Sequence, residues 1–194
     1  MAPRTAEKFK EIREEKRNHI MRIALELFAN EGYHVTPISK IAQKAGMSKG
    51  LMYNYFESKE DLLKSILIET IHEIYSSFDK NHDDILTSDE FEYFVRESFK
   101  LQKENREFYK LYYILLLQPN IIEIANSEIS NISQKVLTVL YYYFKSSFPD
   151  PDTEMLLFSS LMKGLSMQLV YSPEYINEER LEKSIQRILE LFKR

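Results

Sequence analysis

Cysteine is absent from the chain, which excludes both disulfides and thiolate metal sites. Glycine is scarce: of the four present, Gly32, Gly46 and Gly50 lie close together near the start, and Gly164 stands alone beyond them. No glycine-rich phosphate loop and no nucleophile elbow can be assembled from that supply. Long apolar runs are missing too. The run from Tyr112 to Leu117 falls far short of a bilayer span even with Leu111 before it, and the charged N-terminus lacks the apolar core of a secretion signal. The expectation is a cytoplasmic protein with no membrane partner. The four histidines are scattered and none sits at a metal-ligand spacing, so no metal and no cofactor are expected.

At 194 residues, 44% hydrophobic and 29% charged, the chain can bury a sizeable core as one compact unit or two small ones. Pro119, Pro149, Pro151 and Pro173 fall between apolar-periodic segments, and a helix does not easily continue through proline. The pattern predicts helices over about 88–103, 105–118, 121–148, 153–172 and 176–193. No alternating strand pattern competes, so the fold class is all-α. Net charge is −4, which by itself argues weakly against nucleic acid. Its distribution points the other way. Residues 1–59 hold 11 Lys and Arg against 7 Asp and Glu, a net +4, and the remainder carries −8. A basic head on an acidic body suits a protein that presents one end to DNA.

The most informative stretch runs from Thr36 to Lys59. Thr36 is read as a helix cap with Pro37 at the first helical position. Ile38, Ile41, Ala42 and Ala45 follow on one face, and Gly46 can end the helix in a left-handed conformation. Ser48 caps a second short helix. The combination is a helix-turn-helix. In its second helix Ser48, Lys49 and Gly50 make a small, polar first turn. Leu51 and Phe56 are expected to anchor it inward, leaving Lys49, Met52, Tyr53, Asn54 and Tyr55 outside. Lysine can reach a guanine edge and tyrosine hydroxyls commonly serve phosphates. Ser58 caps a further helix to about Ser77, whose free N–H groups could hold a phosphate with Lys59 beside them. Its stripe of Leu62, Leu63, Ile66, Leu67, Thr70, Ile71 and Ile74 exceeds what a helix-turn-helix buries, so this helix is expected to link the head mechanically to the body.

Thr36, Ile41, Ala42, Ala45, Gly46, Ser48, Gly50, Tyr53, Tyr55, Phe56, Lys59 and Leu62, read in order, resemble the TetR family of bacterial transcriptional regulators. The preceding helix, about Asn18 to Asn30 with Ile20, Ile23, Ala24, Leu27 and Phe28 before Gly32, fits as well. The resemblance covers about residues 15–75. It implies an N-terminal extension at 1–17, a three-helix DNA-binding head at 18–75, and a helical effector-binding and dimerisation body at 76–194. In the extension Arg4, Lys8, Lys10, Arg13, Lys16 and Arg17 mix with glutamates, which reads as a solvated helical tail or, alternatively, a basic arm on DNA. The DNA-contacting set is then Thr36, Ser48, Lys49, Gly50, Met52, Tyr53, Asn54, Tyr55 and Lys59.

In the body, aromatic crowding at Phe108, Tyr109, Tyr112, Tyr113 and Tyr141 to Phe144 reads first as core. Tyrosine is also amphipathic and can line a cavity for a mixed polar and apolar molecule. The resemblance implies such an effector pocket, placed at Phe108, Tyr112, Tyr113, Tyr141 and Met162. The last two helices are apolar enough to be covered on two sides. The resemblance implies a four-helix interface between two copies, assigned to Phe158, Leu161, Gly164, Leu165, Ile185 and Ile188. The expected function is a ligand-responsive repressor that binds a palindromic operator in double-stranded DNA as a homodimer and is released by a small-molecule effector.

Two other classes compete. Asp79, Asn81, Asp83 and Glu90 fall at positions 1, 3, 5 and 12 of a calcium loop, but Asp84 replaces the glycine of position 6 and no second loop exists. The plain reading is an acidic loop with Ser88 capping the next helix. A small helical enzyme finds no acid, base or nucleophile constellation at recognisable spacing.

Overall fold

The computed structural model describes residues 6–76, 78 and 83–194, the side chains of Ala6, Ser127 and Glu128 excepted. Among the described residues there are ten helices and no strand: α1 (Ala6–Glu31), α2 (Ile38–Lys44), α3 (Lys49–Met52), α4 (Lys59–Tyr75), α5 (Ser88–Glu104), α6 (Arg106–Leu116), α7 (Ile121–Ile124), α8 (Asn126–Lys145), α9 (Pro151–Tyr171) and α10 (Glu178–Phe192). The all-α expectation holds. The chain forms two compact units, one of Met1–Ile68 with Leu111–Asn126, the other of Glu69–Lys110 with Ser127–Arg194.

In the first unit α1 supplies the main apolar stripe. Ile20, Ala24, Leu27 and Phe28 recur at three- and four-residue spacing and all are buried, Ile20 and Phe28 completely. α2 packs on α1, and the same unit buries Ile41 and Ala42 of α2, Met52, Phe56, and Leu62, Leu63 and Leu67 of α4, all but inaccessible to solvent. Each such leucine or phenylalanine contributes about 2–3 kcal/mol through removal from water. Gly32 ends α1 with φ +100°, a conformation that side chains resist, and its N–H donates to the Phe28 carbonyl at 3.0 Å. The helix starts at Ala6, so residues 6–17 continue α1 rather than hanging from it.

The second unit is built on a core contributed by α5, α8, α9 and α10. Phe91 is its centre: it stacks on Tyr143 at 4.7 Å and lies 5.1 Å from Phe158. Phe192 closes the cluster at 5.8 Å from Phe144 and 5.5 Å from Phe158. The Tyr143 hydroxyl donates to the Phe192 carbonyl at 3.2 Å and accepts from the Arg194 N–H at 2.9 Å, so this buried phenol is satisfied.

Several boundaries differ from the sequence expectation for local reasons. The segment 121–148 is two helices, because the chain kinks at Ala125 (φ −111°), and α8 ends at Lys145. Asn120, just past Pro119, takes a left-handed φ of +63° to start α7. Thr87, not Ser88, caps α5: its hydroxyl accepts from the Glu90 N–H while Glu90 Oε2 accepts from the Thr87 N–H at 3.0 Å, a complete capping box. α9 starts at Pro151 itself, two residues before the expected 153, with Asp150 accepting from the Thr153 N–H at 3.1 Å.

The acidic segment has other uses for its described residues. Asp79 and Asn81 lie outside the described residues. Asp84 takes the left-handed φ of +62° that position demanded and pairs with Lys135 at 2.7 Å. Asp83 accepts from the Ile85 N–H and Glu90 is held by the capping box.

Candidate nucleic-acid interface

The helix-turn-helix is confirmed from its caps. α2 ends in a turn where Gly46 has φ +68°, and Ser48 Oγ accepts from the Leu51 N–H at 3.1 Å to start α3. Ser58 repeats the device for α4, accepting from the Asp61 N–H at 2.9 Å, while Asp61 accepts from the Glu57 N–H at 2.8 Å. Ser48, Lys49 and Gly50 are exposed, and a Cβ at Gly50 would meet no atom within 4 Å. Tyr53 and Asn54 are exposed and Tyr55 is half-buried.

Three assignments in this head need correction. Met52 is fully buried and Leu51 is 41% exposed, the reverse of the sequence expectation. Phe56 lies inward, and the residue one turn before it on the same face is four positions back, which is Met52. Thr36 is no cap and is not outward: it is buried, its hydroxyl donates to the Gly32 carbonyl at 2.8 Å, and Pro37 occupies the cap position without a side-chain bond. Lys59 does not project freely toward a phosphate. Its Nζ donates to the carbonyls of Tyr33 (2.8 Å) and His34 (3.2 Å) and sits 4.5 Å from the Tyr33 ring centre. Burial lowers its pKa, and burial followed by the Glu60 charge raises that of Tyr33. Two of its three donors therefore fasten the start of α4 to the turn after α1.

Sequence reasoning missed the side chains that hold the reading helix. Arg13 Nη2 donates to the Asn54 carbonyl at 2.8 Å, with its guanidinium 5.6 Å from the Tyr55 ring centre. Arg17 Nη2 donates to Ser65 Oγ at 2.8 Å and lies 4.9 Å from the Phe56 ring centre. Both guanidiniums satisfy carbonyl or hydroxyl acceptors while stacking on aromatic faces, which lysine cannot do as well. Lys40 and Lys44 are neutralised by Glu31 and Glu26, whereas Lys49 carries no ion pair among the described residues. Gln118 was missed as well. Its amide donates to the Phe28 carbonyl at 2.6 Å and accepts from the Tyr33 N–H at 2.9 Å, so it caps the end of α1 from a distant segment.

In the second unit the interface residues divide. Phe158, Ile185 and Ile188 are at most 5% exposed and belong to the unit's own core, and Leu165 and Met162 pack against it. The first three are spent inside one chain, whereas Leu165 and the pocket residue Met162 are only partly buried. Leu161 (43% exposed) and Gly164 lie on the open face of α9, with Leu157 and Tyr171 also exposed. The outer face of α10 is polar, from Glu178 through Glu182 and Arg187 to Glu190. Of the pocket residues, Tyr112 and Tyr113 fall in the first unit and Phe108, Tyr141 and Met162 in the second. A cavity of about 410 Å³ in the second unit is lined by other residues, among them Asp84, Gln134, Lys135 and Tyr142. No helix of the described residues is long and apolar enough to cross a membrane.

Residues 20–66 match the family profile described as bacterial regulatory proteins, tetR family. A Bacillus subtilis HTH-type transcriptional regulator, YerO, is 34% identical over 122 residues, covering 63% of this chain and 42% of that protein. The fatty acid metabolism regulator protein of the same organism is 35% identical over 79 residues, 39% of this chain and 41% of that one. The matches thus span less than half the length of these relatives. Among solved structures, FadR of Bacillus subtilis in complex with stearoyl-CoA aligns over 91% of this chain and 97% of its own at a TM-score of 0.68 and 21% identity. NalD, the secondary repressor of the MexAB-OprM efflux pump in Pseudomonas aeruginosa, aligns over 95% and 98% at 0.70 and 16%. At those identities the structural likeness concerns the fold.

Proposed function

From the premise that the chain belongs to the tetR family of bacterial regulatory proteins, a family of transcriptional regulators rather than enzymes, we propose that it is an effector-released repressor. It binds a palindromic operator as a homodimer, with the DNA-binding head in residues 18–75 and the effector and dimer functions in 76–194. The observation that carries this reading is the exposed surface at α3: Ser48, Lys49, Tyr53 and Asn54 around an open Gly50, in a segment, residues 1–59, of net charge +4. Lys49 serves base edges, Tyr53 and Tyr55 serve phosphates, and the remaining donor of Lys59 is available to a phosphate near the start of α4.

The second copy covers α9. Leu157, Leu161 and Tyr171 leave an apolar face on a helix whose opposite side already fills the core, and Gly164 allows close approach. The effector acts through α4, which runs unbroken from Lys59 to Tyr75. A ligand bound within the second unit, which holds Phe108, Tyr141 and Met162, biases the tilt of that helix and so the spacing of the two heads. The effect is limited to the ligand's differential affinity for the two tilts, about 1–3 kcal/mol. Support for the ligand's class comes from the fatty acid metabolism regulator and the stearoyl-CoA complex among the similar proteins. An acyl-CoA thioester is therefore the first effector to test. Selected operator DNA is titrated with protein while acyl chain length is varied. A chain-length-dependent loss of binding is expected, and indifference at every length removes this effector class.

A further inference from the structure

Leu51 is the one residue of α3 whose exposure contradicts its chemistry. It is 41% accessible, while Met52 and Phe56 are buried at 0% and 1%. Around it are Ser48, Lys49, Gly50, Tyr53 and Asn54, every one exposed. Its apolar side chain therefore stands as a single knob in a polar setting with one lysine, unlike the continuous apolar face of α9, and too small for a protein partner to dock on. The space beside it is open, since a Cβ at Gly50 would touch nothing within 4 Å, so a groove wall can come close to the helix there. The net +4 of residues 1–59, with Lys49 unpaired by any acid among the described residues, favours a polyanion as occupant.

We propose that Leu51 is a specificity-determining residue that reads a thymine methyl group in the major groove. The inference rests on the DNA-binding reading above. Leucine has no hydrogen-bonding group, so it cannot recognise N7, O6, N6 or O4. Among the base edges of the major groove the thymine C5-methyl is the apolar feature it matches. Contact there removes two apolar surfaces from water at once, and it converts an otherwise unfavourable exposed leucine into discrimination between base pairs. Lys49, two residues earlier, supplies the complementary preference for a guanine edge, so the half-site should hold a G and a T close together.

The experiment selects sites from a random duplex library with the full-length protein. Each thymine of the selected duplex is then replaced singly by deoxyuridine, which removes only the methyl group. One position in each half-site is expected to lose affinity about fourfold, the worth of one buried methyl. Leu51→Ala should bind the thymine and deoxyuridine duplexes equally, and Leu51→Gln should move the preferred base toward adenine. Indifference of the unaltered protein to every methyl, or retention of the methyl dependence by Leu51→Ala, overturns the assignment. Because the substitution is made in the DNA, a folding defect in a variant cannot imitate the result. Failure to enrich any sequence overturns the DNA-binding reading itself, whereas enrichment without methyl dependence overturns only the role of Leu51.

Discussion

Replacing Gln118 by alanine removes two hydrogen bonds that close the end of α1, and the structure sets their worth. The amide donates to the Phe28 carbonyl at 2.6 Å, but that carbonyl also accepts from the Gly32 N–H at 3.0 Å and stays partnered in the variant. The Tyr33 N–H loses the acceptor it held at 2.9 Å. Tyr33 is only 6% exposed and its ring packs edge-on against Phe28 at 5.1 Å, so the partner cannot simply swing out to water. A net bond of about 1 kcal/mol and a partly buried donor left unmade cost about 2 kcal/mol together. In a chain of this size that lowers Tm by about 4–8 °C. Gln118→Glu separates the two bonds: at neutral pH its carboxylate still accepts from Tyr33 but faces the Phe28 oxygen with another acceptor. Its deficit should shrink as pH falls toward the ordinary glutamate range, where the protonated acid can donate again. Urea denaturation at several pH values measures both variants. A loss below about 0.5 kcal/mol for Gln118→Ala, or a pH-independent Gln118→Glu, would refute the reasoning.

Other variants probe the remaining elements. Leu161→Glu places a charge on the open face of α9 and should give monomers in sedimentation with greatly weakened DNA binding, and a normal dimer would put the subunit contact elsewhere. Lys59→Met keeps the aliphatic stem but breaks the bonds to the Tyr33 and His34 carbonyls, so it should cost about 1 kcal/mol of stability. It should also lower the salt slope of DNA binding by about one unit if the third donor meets a phosphate. Glu92 accepts from Lys193 and from Arg96, each at 2.7 Å, and those bonds hold its carboxyl below the ordinary value of 4.5. Its stabilisation is complete above that ordinary value and is lost as pH falls through the lowered one. Glu92→Gln should therefore be less stable at pH 7 by about 1 kcal/mol or less, with the difference closing in acid. Glu90→Ala should lower stability by about 1 kcal/mol through loss of the Thr87 capping box, with no dependence on added calcium.

The helix-turn-helix could be read directly because its signals are local: Gly46 and Ser48 act within their own turn and behave as their chemistry dictates. The inversion of Leu51 and Met52 was also legible, since Met52 rather than Leu51 lies four residues from the buried Phe56. Thr36 misled because an S/T–Pro pair looks like a cap, and only the structure shows its hydroxyl turned back to Gly32. On α9 and α10 an apolar count could not separate a side facing the protein's own core from a side left open. The polar outer face of α10 decides that Ile185 and Ile188 are used within the chain. Gln118 and Arg13 had no readable signal at all, because each acts on a backbone group at least 41 residues away.

The most direct measurement of the central claim is the mass and footprint of the protein on duplexes selected from a random library. The expected result is an inverted repeat protected symmetrically on successive turns of one face, with two chains or a multiple of two per site, and binding that falls steeply with salt. A single chain on an asymmetric sequence, or no enriched sequence at low salt, would contradict it.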